Sequence, residues 1–328
     1  MKCAVIKKLG KEIENIVIEK RDDLVAIGEY VRVKVLSTAI NRADLLQRRG
    51  LYPAPKDAPQ DVPGLEFAGI IDQVGEKVTD WKGGERVFGI VGGGSYAEQV
   101  LTHQKMAVRV QDRFSDIEAA AIPEVFITAH DALITQGGLK PGEIVLIHAV
   151  AGGVGSAAVQ LVNLYKAQTI GTAGSKEKLF KIAGITNFIP VNYKEANFQD
   201  FIEKGFGKNS IDLVIDTIGA SYWKQNVALL KNCGRLVLVG LLGGTVADTD
   251  LSIILNKRLK IIGTVLRSRP LEEKISATQA FSREVLPHFM DGKLKPVIDY
   301  VFPFEKLHEA TARMEKNENI GKIIIKFS

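Results

Sequence analysis

The residues best placed to do chemistry lie between Glu143 and Gln160, in the stretch EIVLIHAVAGGVGSAAVQ. A turn at Lys140, Pro141 and Gly142 leads into the apolar run Ile144 to Ile147, which suits a strand buried on both faces of a parallel sheet. Gly152, Gly153, Val154 and Gly155 follow, and then Ala157, Ala158, Gln160, Leu161 and Leu164 recur at helical spacing. Strand, glycine-rich turn and helix in that order form the context in which a G-x-x-G pattern binds a dinucleotide. The glycines let the backbone approach a pyrophosphate, and the helix N-terminus offers unpaired N–H groups and partial positive charge. One position departs from the full G-x-G-x-x-G fingerprint, because Val150 stands where the first glycine would be.

The choice of dinucleotide is set at the end of the next strand. A site for NADH usually places Asp or Glu there to bind the ribose hydroxyls. Here the strand runs out through Gly171, Thr172, Ala173, Gly174 and Ser175, with no acid. Ser175 offers a hydroxyl and Lys178 a cation, which suit the 2′-phosphate of NADPH. Glu177 is an acid nearby, but in the first turn of a helix it points elsewhere.

The elements that must hold these residues follow from pattern. From Met1 to about Glu124, short alternating runs such as YVRVKVL (Tyr30 to Leu36) are broken by glycine turns, with a short helix at Arg42 to Arg48. The stretch LYPAPKDAPQDVP (Leu51 to Pro63) reads as a long surface loop. From Val125 to Val265 strands alternate with helices, at Glu143–Ile147, Thr169–Ala173, Phe188–Val191, Asp212–Ile215, Arg235–Val239 and Lys260–Val265. That rhythm predicts a six-stranded, doubly wound parallel sheet. A tail follows: helix Glu272–His288, strand Val297–Val301, helix Glu305–Met314 and strand Lys322–Phe327. It is too small for its own core and is expected to pack on the first domain. The expectation is an α/β protein: residues 1–124 and 266–328 form a β-barrel-type catalytic domain, and residues 125–265 bind NADPH.

Composition narrows the classes. Of 328 residues, 46% are hydrophobic and 25% charged, as in ordinary globular proteins. A net charge of +5 with no basic block argues against a nucleic-acid footprint. No apolar run is long enough to span a bilayer, MKCAVIKKLG lacks a signal-peptide core, and a cytoplasmic protein is expected. The two cysteines, Cys3 and Cys233, form no C-x-x-C pair, and the five histidines show no metal-ligand spacing.

Taken together, NRADLLQRRG (from Asn41), PGLEFAG (Pro63), AAIPEVFITAH (Ala120), HAVAGGVGSAA (His148), TAGSKEKL (Thr172), GASYW (Gly219), LRSRP (Leu266) and NIGKI (Asn319) resemble the medium-chain dehydrogenase/reductases. The likeness is to their zinc-free quinone oxidoreductase (zeta-crystallin-like) family, in particular the tumour-suppressor-inducible NADPH:quinone oxidoreductase branch. It runs nearly end to end. It implies a GroES-like β domain plus a Rossmann domain, and a homodimer joined through the Rossmann sheet's last strand, near Leu259 to Leu266. It also implies that Asn41, Leu65 and Glu124 occupy the positions at which zinc-dependent relatives hold their ion. Leu65 cannot ligate zinc and a neutral Asn amide ligates it poorly. The resemblance places Thr128 near the nicotinamide and Tyr193 over the 2′-phosphate, with Val154, Ile218, Leu241 and Arg267 as further cofactor contacts. An ordinary ion pair is an equal reading for Arg267. Asn41 and Tyr52 are implied to line the acceptor pocket, Asn41 donating to a developing oxyanion and Tyr52 donating a hydrogen bond or proton. The plainer alternatives are that Asn41 caps the helix after it and Tyr52 packs the loop. Without a metal to polarise an alcohol, the implied acceptor is already electron-poor: a quinone, or an enone or 2-alkenal. A non-catalytic NADPH-binding protein is the rival from another class.

Overall fold

The computed structural model describes all 328 residues. They divide into two compact units, Met1–Ile127 with Leu266–Asp291 and Pro296–Ser328, and Thr128–Val265 with Gly292–Lys295.

The first unit begins with the antiparallel pair β1 (Lys2–Ile6) and β2 (Ile16–Lys20). Its main sheet contains β3 (Tyr30–Ile40), β4 (Glu66–Val74), β5 (Arg86–Ile90), β6 (Gln99–His103) and β7 (Ala107–Arg109). Period-2 alternation puts Val31, Val33 and Val35 of β3 inward, onto Phe67, Ile71 and Val87. Helix α1 (Arg42–Arg48) follows β3 directly. Two helices not anticipated as a pair come late: α2 (Asp116–Ala120) and α3 (Pro123–His130). A capping box starts α2, Ser115 accepting from the Glu118 N–H while Glu118 reaches back to the Ser115 N–H.

In the second unit, β8 (Ile144–Ile147), α4 (Gly153–Leu164), β9 (Gln168–Ala173), α5 (Lys176–Ala183) and β10 (Ile189–Asn192) form the first half. The second half is α6 (Phe198–Phe206), β11 (Ile211–Asp216), α7 (Trp223–Leu229), β12 (Leu230–Leu238), α8 (Leu251–Lys257) and β13 (Lys260–Gly263). The six strands are parallel in the order β10-β9-β8-β11-β12-β13, the doubly wound arrangement the alternation predicts. Strand order reverses at β8, so the glycine turn lies at the topological switch point, where open α/β sheets bind ligands. Leu146, Ile170, Val214 and Leu236, one from each central strand, share the core beneath. No helix is long and apolar enough to cross a membrane.

The tail returns to the first unit. The sequence suggests one helix over 272–288, but the chain forms α9 (Leu271–Glu284) and α10 (Pro287–Met290). Pro287 has no N–H to continue the ladder, and the helix ends three residues before it, at Glu284, with Val285 as its C-cap. Then β14 (Ile298–Pro303), α11 (Leu307–Glu315) and β15 (Lys322–Lys326) complete the sheet, β15 pairing with the end of β3. That pairing carries Ile323 to the side of Ile40, and so Lys322 to the side of Asn41.

Candidate active site

The nucleotide end of the second unit is built by backbone. Ala149 takes a left-handed conformation (φ 51°) after β8, and the Val150 N–H donates to the Thr172 carbonyl at 2.9 Å. Val150, in place of the first glycine, is fully buried. Room for it comes from Gly171 on β9, where a Cβ would stand 2.9 Å from Val150 Cγ2. Gly155 serves close helix–strand packing, since a Cβ there would meet the Val150 Cα at 2.7 Å. Gly152 is the N-cap of α4 and brings no capping side chain. The first-turn N–H groups of Gly153, Val154 and Gly155 are therefore presented to a ligand, as an anionic pyrophosphate requires.

Below the turn runs a buried polar chain. His148 bonds Thr172 Oγ1 (3.0 Å) through Nδ1 and Asn226 Oδ1 (2.8 Å) through Nε2. Asn226 Nδ2 in turn donates to Asp216 Oδ2 (3.1 Å). Because Asn226 uses its amide hydrogens toward Asp216, its oxygen must accept from His148, which fixes the proton on Nε2. Burial pushes the His148 pKa down, so the ring is neutral and this tautomer persists. Asp216 Oδ1 also accepts from the N–H groups of Ile218 and Gly219, fixing the loop after β11. Ile218 is partly buried there, and Leu241 packs against Gly219, where a Cβ would come within 2.7 Å of the Leu241 Cδ2. The role of His148 in this chain shows only in the fold.

At the end of β9, Ser175 is the N-cap of α5 and accepts from the Lys178 N–H at 3.3 Å. The Tyr193 ring folds over Gly174, whose Cβ would lie 2.6 Å from the phenol oxygen. Tyr193 thus lies over Gly174 and the Lys178 backbone is bonded to Ser175, with no carboxylate on the strand end. Thr128 is partly buried in α3. A surface groove beside α5, lined by Phe180, Pro190 and Phe201, contains none of these residues.

In the first unit the residues converge on Asn41. It is the N-cap of α1 within a capping box, its N–H donating to Asp44 Oδ2 at 2.8 Å. Its amide is also fully engaged: Nδ2 donates to Glu66 Oε1 (2.8 Å) and reaches the Ala39 carbonyl (3.3 Å), while Oδ1 accepts from Lys322 Nζ (2.6 Å). Both amide hydrogens already have protein acceptors, so donation to an oxyanion would have to displace one of them. Lys322 and Glu66 form a buried ion pair at 2.7 Å, their side chains 3% and 0% exposed. The ammonium places its remaining hydrogens on Asn41 Oδ1 and the Ile40 carbonyl (3.2 Å). Glu66 Oε2 accepts from the Glu124 N–H at 3.0 Å, capping α3. Every charge in this closed group is paired and hydrogen-bonded, as its burial demands.

Asp44 is similarly enclosed, accepting from the Asn41 and Gly64 N–H groups and from the Tyr96 hydroxyl (2.8 Å). Burial, then the Asp44 charge, lifts the Tyr96 pKa far above a phenol's usual range, so Tyr96 is a permanent donor to Asp44. Tyr52 is half-buried and its hydroxyl has no protein partner, while its ring lies 5.2 Å from the Arg267 guanidinium. Burial raises its pKa, followed by the field of Glu124. Arg267, expected among the cofactor contacts, is buried within the first unit. Its Nε donates to the Gly92 carbonyl (2.7 Å), Nη1 to the Tyr52 carbonyl (3.2 Å) and Nη2 to Gln47 Oε1 (2.6 Å). Two loops and helix α1 are tied by one side chain, which uses three of the five guanidinium N–H groups.

A doubly wound nucleotide-binding unit with a GroES-like β unit defines the class. Residues 28–112 match the family model described as alcohol dehydrogenase GroES-like domain, and residues 153–283 match that described as zinc-binding dehydrogenase. The chain is 30% identical over 324 residues to quinone oxidoreductase-like protein 2 of Bos taurus, covering 98% of this chain and 90% of the relative. It is 33% identical over 314 residues to the synaptic vesicle membrane protein VAT-1 homolog of Rattus norvegicus, covering 90% and 76%. A solved quinone oxidoreductase of Pseudomonas syringae superposes with a TM-score of 0.87 at 26% identity, covering 99% of both chains. The chain belongs to the medium-chain dehydrogenase/reductase family, in its zinc-free quinone oxidoreductase-like group, and is an oxidoreductase of that type. Zinc, which one model's description mentions, does not fit these residues. No three His, Cys, Asp or Glu side chains gather to hold an ion, and a lysine ammonium already lies between Asn41 and Glu66.

Proposed function

We propose that the protein is an NADPH-dependent quinone reductase that works without a metal. The observation that carries the reading is the end of β9, where Ser175 caps the first turn holding Lys178, Tyr193 lies over Gly174, and no acid is present to select the unphosphorylated cofactor. With α4 open for the pyrophosphate, these residues fit NADPH, which when bound supplies the hydride. Ser175 Oγ, already accepting from the Lys178 N–H, keeps its own hydrogen for a phosphate oxygen, and the Lys178 cation adds charge.

The acceptor follows from what the first unit offers. Its buried cation, Lys322, has all three donors engaged, so it cannot polarise a ground-state carbonyl or an alcohol as a Lewis acid would. A substrate that needs no such help is a conjugated, electron-poor one, and a planar quinone is the best case. Tyr52, with a hydroxyl lacking any protein partner, is the donor in the first unit able to orient the acceptor oxygen.

The working form is inferred to be a cytoplasmic homodimer. Strand β13 pairs only with β12 and leaves its other edge open, and α8 buries none of its side chains, with Leu251 and Leu255 more than 70% exposed. Sedimentation at micromolar concentration tests this. The functional reading is tested by NADPH oxidation against a panel of para- and ortho-quinones, enones and primary alcohols. Quinone turnover with inert alcohols is expected; faster enone turnover would reassign the substrate, and inactivity with every acceptor would leave a binding protein.

A further inference from the structure

Strand β8 lies between β9 and β11, so the cofactor crevice of the second unit opens between the carboxyl ends of β8 and β11. Its two walls are the turn from His148 to Gly155 and the loop from Thr217 to Gly219. Both walls depend on left-handed backbone, at Ala149 (φ 51°) and at Gly219 (φ 82°). Such backbone persists only where its surroundings hold it, above all at Ala149, which carries a Cβ.

His148 stands between these walls and is bonded to both. Its backbone N–H donates to the Ile215 carbonyl at 3.2 Å, extending the β8–β11 ladder by one residue. Its Nδ1 accepts from Thr172 Oγ1 on β9, and its Nε2–H begins the chain that runs through Asn226 to Asp216. Asp216 closes that chain on the N–H groups of Ile218 (2.7 Å) and Gly219 (3.1 Å), so three side chains connect one wall to the other. The ring itself is gripped edge-on by Phe198 and Tyr222, with centroids 5.0 Å and 4.7 Å away. His148 is 1% exposed, and Asn226 and Asp216 are 0% exposed, so none of them can touch a nucleotide in the crevice. What they can do is fix the distance between the walls. Apolar side chains of the same volume would fill the space, whereas a matched chain of hydrogen bonds selects one arrangement.

Resting on the dinucleotide-binding reading above, we propose that His148 is the positioning residue of the cofactor crevice. Through Asn226 and Asp216 it holds the Thr217–Gly219 loop in register with the pyrophosphate turn, so the cofactor meets two walls already set. Binding then carries no cost of ordering them, and breaking the chain lowers affinity by the fraction of molecules in which the walls stay in place. NADPH and NADH use these walls equally, which separates this role from that of Ser175 and Lys178.

Three variants of the full chain test the proposal. His148→Leu fills the volume and bonds nothing. The His148→Gln amide reaches the place of Nε2 and can still donate to Asn226, whereas the His148→Asn amide stops at the place of Nδ1. Fluorescence titrations with NADPH and NADH, run without denaturant, should show both cofactors weakened about tenfold or more in the Leu and Asn variants. The Gln variant should stay within roughly threefold of the native protein. Hydrogen exchange gives a readout that needs no cofactor. The Ile218 and Gly219 amides should exchange faster in the Leu and Asn variants, while those of Leu213 and Val214 in β11 keep their native protection. A role confined to stability would lower the urea midpoint and leave the affinity of folded molecules untouched. If His148→Leu does not fold, the contrast between Gln and Asn still decides. Native affinity in a folded His148→Leu variant, or equal losses in the Gln and Asn variants, would overturn the proposal while leaving dinucleotide binding by the native protein intact. A native protein that binds neither nucleotide would defeat the dinucleotide reading and the proposal with it.

Discussion

Replacing Lys322 by Met tests the buried cluster that organises the first unit. The ammonium is 3% exposed and bonds three oxygens: Glu66 Oε1, Asn41 Oδ1 and the Ile40 carbonyl. Met fills comparable volume but leaves all three without that donor and Glu66, 0% exposed, without its counter-charge. Breaking a buried pair by removing one partner costs about 3–5 kcal/mol. Glu66 still accepts from Asn41 Nδ2 and the Glu124 N–H, which favours the lower half of that range. With a urea slope of about 2–3 kcal/mol per molar, the midpoint should fall by roughly 1.5 M. Trp81 lies in the first unit and Trp223 in the second, so fluorescence in a Trp223→Phe background reports on the relevant unit alone. Adding Glu66→Gln should recover at least half the loss, because the amide oxygen still accepts and no buried charge is left unpaired. A loss below about 1 kcal/mol, or a double variant no more stable than the single one, would refute this account of the cluster.

Other outcomes follow from the same geometry. Lys178→Ala should weaken NADPH binding about ten- to a hundredfold, as loss of a charge-assisted hydrogen bond implies, and leave NADH binding nearly unchanged in a fluorescence titration. Equal losses would remove the 2′-phosphate from this place. Arg267→Met should raise the KM for the acceptor and speed proteolysis of the 51–63 loop, while the dissociation constant for NADPH stays put, because its bonds run to Gly92, Tyr52 and Gln47. A large loss of NADPH affinity would return Arg267 to the cofactor. Gly155→Val should destroy cofactor binding, since its side chain would be driven into Val150 and the turn could not close.

The doubly wound sheet was legible because each of its strands is a short apolar run bounded by turns, a signal that survives without knowledge of neighbours. Helix α2 was also written in the sequence, as Ser115 and Glu118 at capping-box spacing, yet it is easily passed over in a stretch otherwise rich in strands. Lys322 gave no such signal. At the head of KIIIK it reads as the solvent end of a strand, and its partner Asn41 is 281 positions away. Only the register of β15 against β3 joins them. Glu66 is hidden for the same reason, its partners Asn41 and Glu124 lying 25 and 58 positions away. Arg267 was legible only as a basic residue after the last parallel strand; its bonds to Gly92, Tyr52 and Gln47 appear only in the fold.

The central claim is hydride transfer from NADPH to a conjugated carbonyl by a chain that needs no metal. It is tested most directly by NADPH oxidation with a para-quinone after exhaustive chelation, run in parallel with cofactor deuterated at the transferred position. Full turnover that slows with the deuterated cofactor is the predicted result. Turnover that returns only when zinc is added, or NADPH that binds but is oxidised by no acceptor, would contradict the account.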